Sequence, residues 1–138
     1  MARYSTRVTS VGGRNGAVAS DDGNLSLPVS LPKTLGGRGD ATNPEQLFAA
    51  GYAACFGNAL IHAAQSQGLK LEEQAYRVAA EVGLRPSRTG SFELSVMLEV
   101  SVDGLYAETL RPLVAIAHQM CPYSNAVKGN IDVQINLV

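Results

Sequence analysis

The chain has no excess of positive charge. Eleven Lys and Arg against twelve Asp and Glu leave a net charge of −1 and a pI near 6.1. That excludes the basic face on which non-specific nucleic-acid binding depends. No apolar run reaches the ~18 residues of a membrane span; the most apolar stretch is interrupted by Asn58, His62 and Gln65. The first residues, Met1 to Val8, alternate in polarity and lack the apolar region of a signal peptide. A cytoplasmic location is therefore expected, a compartment where structural disulfides are rare. Cysteine is scarce: only Cys55 and Cys121 occur. With no Cys-x-x-Cys and no His/Cys cluster, no structural zinc site is expected. Internal repeats and low-complexity segments are also missing. What remains is 138 residues at 46% hydrophobic, which fits one domain spanning 1–138 with a substantial core.

The stretch that organises the chain is Thr42 to Gly68. Thr42 and Glu45 have capping-box spacing, Pro44 suits a first helical position, and Gly68 can supply a left-handed cap. Between these ends almost nothing is charged, and Ala, Leu, Phe, Tyr, Gly and Cys fall on every side. A helix apolar all round reads as a buried one. About 24 residues would give ~36 Å, roughly the width of a small domain. Cys55 sits near its middle.

Around this helix the expected order is βββ–α–ββ–α–β. Residues 2–11, 17–20 and 25–31 read as an antiparallel meander. Its turns are Gly12–Gly16, with Asn-Gly inside it, and Asp21–Gly23. Pro28 marks an edge or a bulge. Residues 32–41 are a loop in which Arg38 interrupts three glycines. Strands are predicted at 76–84 and 91–102, paired as a hairpin. A helix is predicted over 107–119, with Pro112 in its first turns. Pro122 ends that helix by pushing Cys121 out of helical conformation, and Pro122–Ala126 forms a short helix capped by Cys121. Residues 131–137 alternate strictly and make a last strand. This order is α+β, with antiparallel sheets packed on helices.

Cys55 is either inert core packing or a reactive thiol. Cys121, at the start of a short helix, is either a capping residue or a thiolate favoured by the helix dipole. Two cysteines so placed are compatible with a pair cycling between dithiol and disulfide, although 66 residues separate them. A thiolate that attacks a peroxide needs a neighbouring cation and an access route. Arg14 in the Gly-rich turn and Arg38 in the Gly-rich loop are candidates for the cation. Glu45 serves the cap and dipole, or the thiol. Ten residues along one helix give ~15 Å of rise and end ~80° short of whole turns, so Glu45 and Cys55 cannot touch within one helix. A Glu45–Cys55 site would require a second copy of the chain, packed across a two-fold axis. His62 and His118 are read as satisfied core or interface residues.

Four stretches carry a resemblance: Gly12–Gly16; Leu35-Gly36-Gly37 with the loop residues after it; Asn43 to Phe56; and His118 to Ala126. In these the chain resembles the organic hydroperoxide resistance (Ohr) branch of the OsmC-like proteins, over essentially its whole length. The resemblance implies an OsmC-like α+β fold, with antiparallel sheets around a long buried central helix, assembled as an intertwined homodimer with two sites at the subunit interface. It implies a thiol peroxidase without metal, haem, flavin or other cofactor. Cys55 falls on the peroxidatic cysteine, Cys121 on the resolving cysteine, and Arg14 and Glu45 on the pair that holds and activates the thiolate. The implied substrates are alkyl and fatty-acid hydroperoxides; the implied reductant is a lipoylated protein or another dithiol, with no nucleic-acid or membrane partner. Leu47, Phe48, Tyr52 and Phe56 would supply an apolar wall suited to a greasy hydroperoxide. The rival readings are an OsmC-type peroxidase of broader peroxide specificity and a non-catalytic thiol redox sensor.

Overall fold

The computed structural model describes all residues, Met1–Val138, and divides into two compact units, Met1–Leu47 and Phe48–Val138. The first unit is a three-stranded antiparallel meander of β1 (Val8–Val11), β2 (Ala17–Ser20) and β3 (Ser26–Pro28). The strands are shorter than their sequence patterns suggest. β2 is the central strand and has four residues, pairing Val8 with Ser20 and Val11 with Ala17; beyond them the outer strands have no ladder to join. Pro28 lies on the edge strand, as its missing N–H requires. The turn between β1 and β2 is tight. Gly12 and Gly13 have positive φ (83° and 57°), and a Cβ at Gly16 would overlap the Val11 carbonyl. This turn presents Arg14 in a single 3₁₀ turn, Gly13–Asn15.

α1 (Pro44–Ser66) begins at the end of the first unit and continues through the second without a break. Its cap differs from the expected one. Asn43, not Thr42, is the N-cap: Asn43 Oδ1 accepts the Gln46 N–H at 2.8 Å, and Thr42 Oγ1 donates to Gln46 Oε1. Asn caps at least as well as Thr, and shifting the cap by one residue releases Glu45 from a capping box. Gly68 takes the left-handed conformation just past the helix, φ 74°.

α1 is also not buried all round. Tyr52, Phe56, Leu60, Ala63 and Ala64 are buried, whereas Ala50, Ala54, Asn58, His62 and Gln65 form an exposed stripe at spacings of three and four. One chain covers only one side of the helix. By length and composition α1 could cross a bilayer, contrary to the expectation that no stretch could, but its largest side chains are committed to a protein core.

The rest of the second unit is a three-stranded sheet with two helices. β4 (Tyr76–Pro86) and β5 (Phe92–Val102) form an eleven-residue antiparallel hairpin. β6 (Gln134–Leu137) pairs with β5 in parallel, so the expectation of wholly antiparallel sheets fails here. The cause is connectivity: α2 (Ala107–Met120) and α3 (Pro122–Val127) lie between β5 and β6, and a crossover of that length returns the chain in its original direction. Val96, Leu98, Val100 and Val102 alternate inward from β5 and pack with α1 and with Leu110, Leu113 and Ala117 of α2 in one core. Pro112 is the sixth residue of α2, in its second turn; it has no N–H for the Glu108 carbonyl.

Leu98 is fully buried at the middle of this core. Leu98→Ala should lower unfolding stability by about 2–5 kcal/mol, read from urea denaturation midpoints. A loss under ~1 kcal/mol would show that the site collapses without leaving a cavity.

Candidate active site

The structure brings two sets of predicted residues together, one in each unit. In the first, Arg14 donates two hydrogen bonds to Glu45, Nη1 to Oε2 at 2.9 Å and Nη2 to Oε1 at 2.7 Å. This is a fork-on-fork pair, the geometry that makes Arg rather than Lys the natural partner of a carboxylate. The hydrogen bonds from Arg14 hold the Glu45 carboxyl below the usual carboxylate range, burial opposing them. The same bonds raise the Arg14 guanidinium. Arg38, the alternative cation, stands 71% exposed beside Asp40 at 3.7 Å and takes no part in this pair.

In the second unit Cys55 and Cys121 are both free thiols, belong to one core cluster and act on each other electrostatically. They meet because of a break between α2 and α3. The residue before Pro122 cannot stay helical, and Cys121 is extended at φ −66°, ψ 121°, serving as C-cap of α2 and N-cap of α3. Its own side chain makes no cap bond. The Tyr123 backbone amide at the start of α3 acts on the Cys55 thiol instead. The α3 start therefore favours a thiolate at Cys55, whereas the sequence pattern points to Cys121 as its beneficiary. Burial nevertheless pushes the Cys55 thiol up, with Cys121 adding to the rise and the Tyr123 amide opposing it. No cation of the unit Phe48–Val138 acts on it.

The four residues expected to form an apolar wall fall into two classes. Tyr52 and Phe56 are fully buried in the core, so neither offers surface to a substrate; Leu47 and Phe48 keep part of theirs. Phe48, Tyr52 and Tyr123 form an aromatic cluster beside the thiols, with centroids 5.5–6.2 Å apart in edge-on and tilted arrangements. Gly51 makes room for it, since a Cβ there would overlap the Tyr123 hydroxyl.

Beneath the cluster runs a polar chain that the sequence does not reveal. Tyr52 Oη lies 2.6 Å from Ser124 Oγ, and Ser124 Oγ lies 2.8 Å from His118 Nδ1. His118, expected only as a satisfied core or interface residue, is thus tied to the site. Burial pushes the Tyr52 phenol up, its Ser124 bond opposes that, and the charges of Cys121 and Cys55 add to the rise. The helix break is the sequence signal that could have exposed this chain: His118 and Ser124 each lie three residues from Cys121.

Comparison with known proteins points one way. The model of the OsmC-like protein family matches residues 37–136. The organic hydroperoxide resistance protein OhrB of Bacillus subtilis is 42% identical over 138 residues, covering 99% of both chains. An organic hydroperoxide resistance protein of Xanthomonas axonopodis pv. citri is 46% identical over 136 residues, covering 97% of this chain and 94% of its own. The crystal structure of Bacillus subtilis OhrB superposes with a TM-score of 0.90 at 41% identity, covering 99% of this chain and all of its own.

The depressed Glu45 carboxyl fixes a sign. Its contribution to stability is complete above the ordinary glutamate value and is lost as pH falls through the depressed one. At neutral pH Glu45→Gln should be less stable than wild type by about 1 kcal/mol, the upper range for a partly exposed pair. The gap should close in acid, as followed by thermal denaturation at several pH values. A gap that widened in acid would contradict the ion pair.

Proposed function

Since the chain belongs to the OsmC-like family, in its organic hydroperoxide resistance branch, we propose that it is a cysteine-based peroxidase reducing alkyl and fatty-acid hydroperoxides to alcohols. The observation that carries this reading is the meeting of two free thiols, Cys55 and Cys121, from distant parts of the sequence. Cys55, the more exposed of the two, attacks the distal peroxide oxygen as a thiolate. The O–O bond breaks, an alcohol leaves, and Cys55 becomes a sulfenic acid. Cys121 condenses with it to a disulfide and water, which protects Cys55 from over-oxidation. An external dithiol of the lipoyl type, free or protein-bound, restores both thiols by exchange. The aromatic cluster beside the thiols favours an organic substrate over hydrogen peroxide. The reaction and its reductant fit a cytoplasmic setting.

Activation is the remaining requirement. A thiol pushed up by burial needs a cation to become a thiolate near neutral pH. The Arg14–Glu45 fork is suited to the task, but Glu45 and Cys55 are ten residues apart on an unbroken helix, ~15 Å of rise. We therefore propose a homodimer in which the fork of one subunit serves Cys55 of the partner subunit. The exposed small-residue stripe of α1 at Ala50, Ala54 and Asn58 supports this reading, because small side chains let two helices approach closely.

The test is consumption of cumene hydroperoxide with dihydrolipoamide by wild type, Cys55→Ser and Cys121→Ser. Wild type should turn over, Cys55→Ser should be inactive, and Cys121→Ser should hold a trappable sulfenate. Arg14→Ala should slow peroxide reduction by about 10²-fold or more, as for loss of a charge that activates the nucleophile. Equal slow rates in all four proteins, or faster turnover with hydrogen peroxide, would refute the reading.

A further inference from the structure

Cys121 has a problem that Cys55 does not. To attack a sulfenic acid it must lose its proton, yet it is fully buried, with no exposed surface. Water cannot take that proton directly. Tyr52, also fully buried, is held by Ser124, itself only 3% exposed, and Ser124 is held by His118. His118 is half-buried and lines a cleft of about 440 Å³ that opens to solvent, with Ser124, Asn125, Lys128 and Asp132 around it. Both thiols act electrostatically on the Tyr52 phenol. No buried side-chain nitrogen or oxygen in the protein lacks a partner.

We propose that the Tyr52–Ser124–His118 hydrogen-bond chain carries the Cys121 proton out to the His118 cleft when the disulfide closes. This rests on the peroxidase reading for its place in the cycle, because the sulfenic acid is the electrophile. Each hydroxyl has one hydrogen to donate. With His118 neutral and Nδ1 accepting, Ser124 donates to His118 and Tyr52 donates to Ser124. Tyr52 is then left with acceptor capacity only, the orientation that receives a proton. As the Cys121 proton arrives, Tyr52 passes its own to Ser124, and Ser124 passes its own to His118, which releases one to cleft water. No phenolate accumulates, in keeping with a phenol disfavoured as an anion by burial. The Cys121 sulfur bonds to the Cys55 sulfur, the S–O bond breaks, and hydroxide leaves on the Cys55 side, taking a proton from solvent there. The sum is thiol plus sulfenic acid giving disulfide plus water, with one proton released to solvent and one taken up. The sulfenic sulfur is reduced and the Cys121 sulfur oxidised, and no other oxidant is needed. A protonated His118 reverses the direction of the chain and blocks this exit. Lys128 and Asp132 are the charged groups that line the cleft with His118, and Tyr52 is the titratable group joined to it through Ser124.

The experiment follows sulfenate formation and disulfide closure separately, by stopped flow with one equivalent of cumene hydroperoxide and mass spectrometry of quenched samples. Wild type is compared with Ser124→Ala and His118→Asn. Asparagine at 118 keeps a hydrogen-bonding group near the Nδ1 position but cannot take up a proton. Closure should fall about tenfold or more relative to sulfenate formation in both variants, with Cys55 sulfinate accumulating. Closure should depend on pH less steeply in His118→Asn than in wild type. Normal closure in His118→Asn would overturn the relay and leave a packing role, and it decides the matter even if Ser124→Ala does not fold. A second arm closes the same dithiol with diamide, which needs no sulfenic acid. If wild type forms no sulfenate, the peroxidase reading fails alone. The relay is then judged by whether His118→Asn slows diamide-driven closure.

Discussion

The candidate site depends on one steric constraint, the refusal of the residue before a proline to remain helical. Pro122 forces Cys121 out of α2 and allows α3 to start at once. That single break does three things. It turns the Cys121 thiol toward Cys55. It frees a helix-start amide, at Tyr123, which favours the anionic form of Cys55. It sets Ser124 between Tyr52 and His118. A continuous helix through residue 122 would satisfy the same amide internally and carry the thiol round its surface.

The second charged element comes from a smaller choice at the other end of α1. Asn43 takes the capping role, so Glu45 needs no backbone partner at the cap and turns both carboxylate oxygens to Arg14. A pair of forks holds its geometry better than a point charge on a flexible stem. The glycines of the Gly12–Gly16 turn bring the backbone close enough to set Arg14 at that distance. Burial raises the Cys55 thiol while the fork stands at the first turn of the same helix.

The core explains why both thiols can be held still. Tyr52, Phe56 and Leu60 of α1 meet Leu98 and Val100 of β5 and Leu113 of α2, all without exposed surface or nearly so. Helix and sheet are thereby fixed to each other, and Cys121 belongs to the same cluster. The opposite face of α1 remains open, with Ala50, Ala54, Asn58, His62 and Gln65 exposed.

Much of this is legible in the sequence because it is local. The helix from Pro44 to Ser66, the β4–β5 hairpin, the stop before Pro122 and the left-handed Gly68 are each set by residues within a few positions of one another. Cys55, Cys121, Arg14 and Glu45 stand out in the sequence because of the dense motifs that surround them. Long-range placement decided the rest. The parallel β6, the open face of α1 and the burial of Tyr52 and Phe56 depend on what packs against each element, which no local pattern contains. The Tyr52–Ser124–His118 chain joins residues 72 and six positions apart and exists only where α1 meets the α2–α3 break. The amino-acid sequence by itself determined which thiols and charges the protein owns and the helices that carry them. Tertiary structure alone decided which thiol the start of α3 acts on and which buried hydroxyls connect to His118, because such contacts depend on proximity in space and not along the chain.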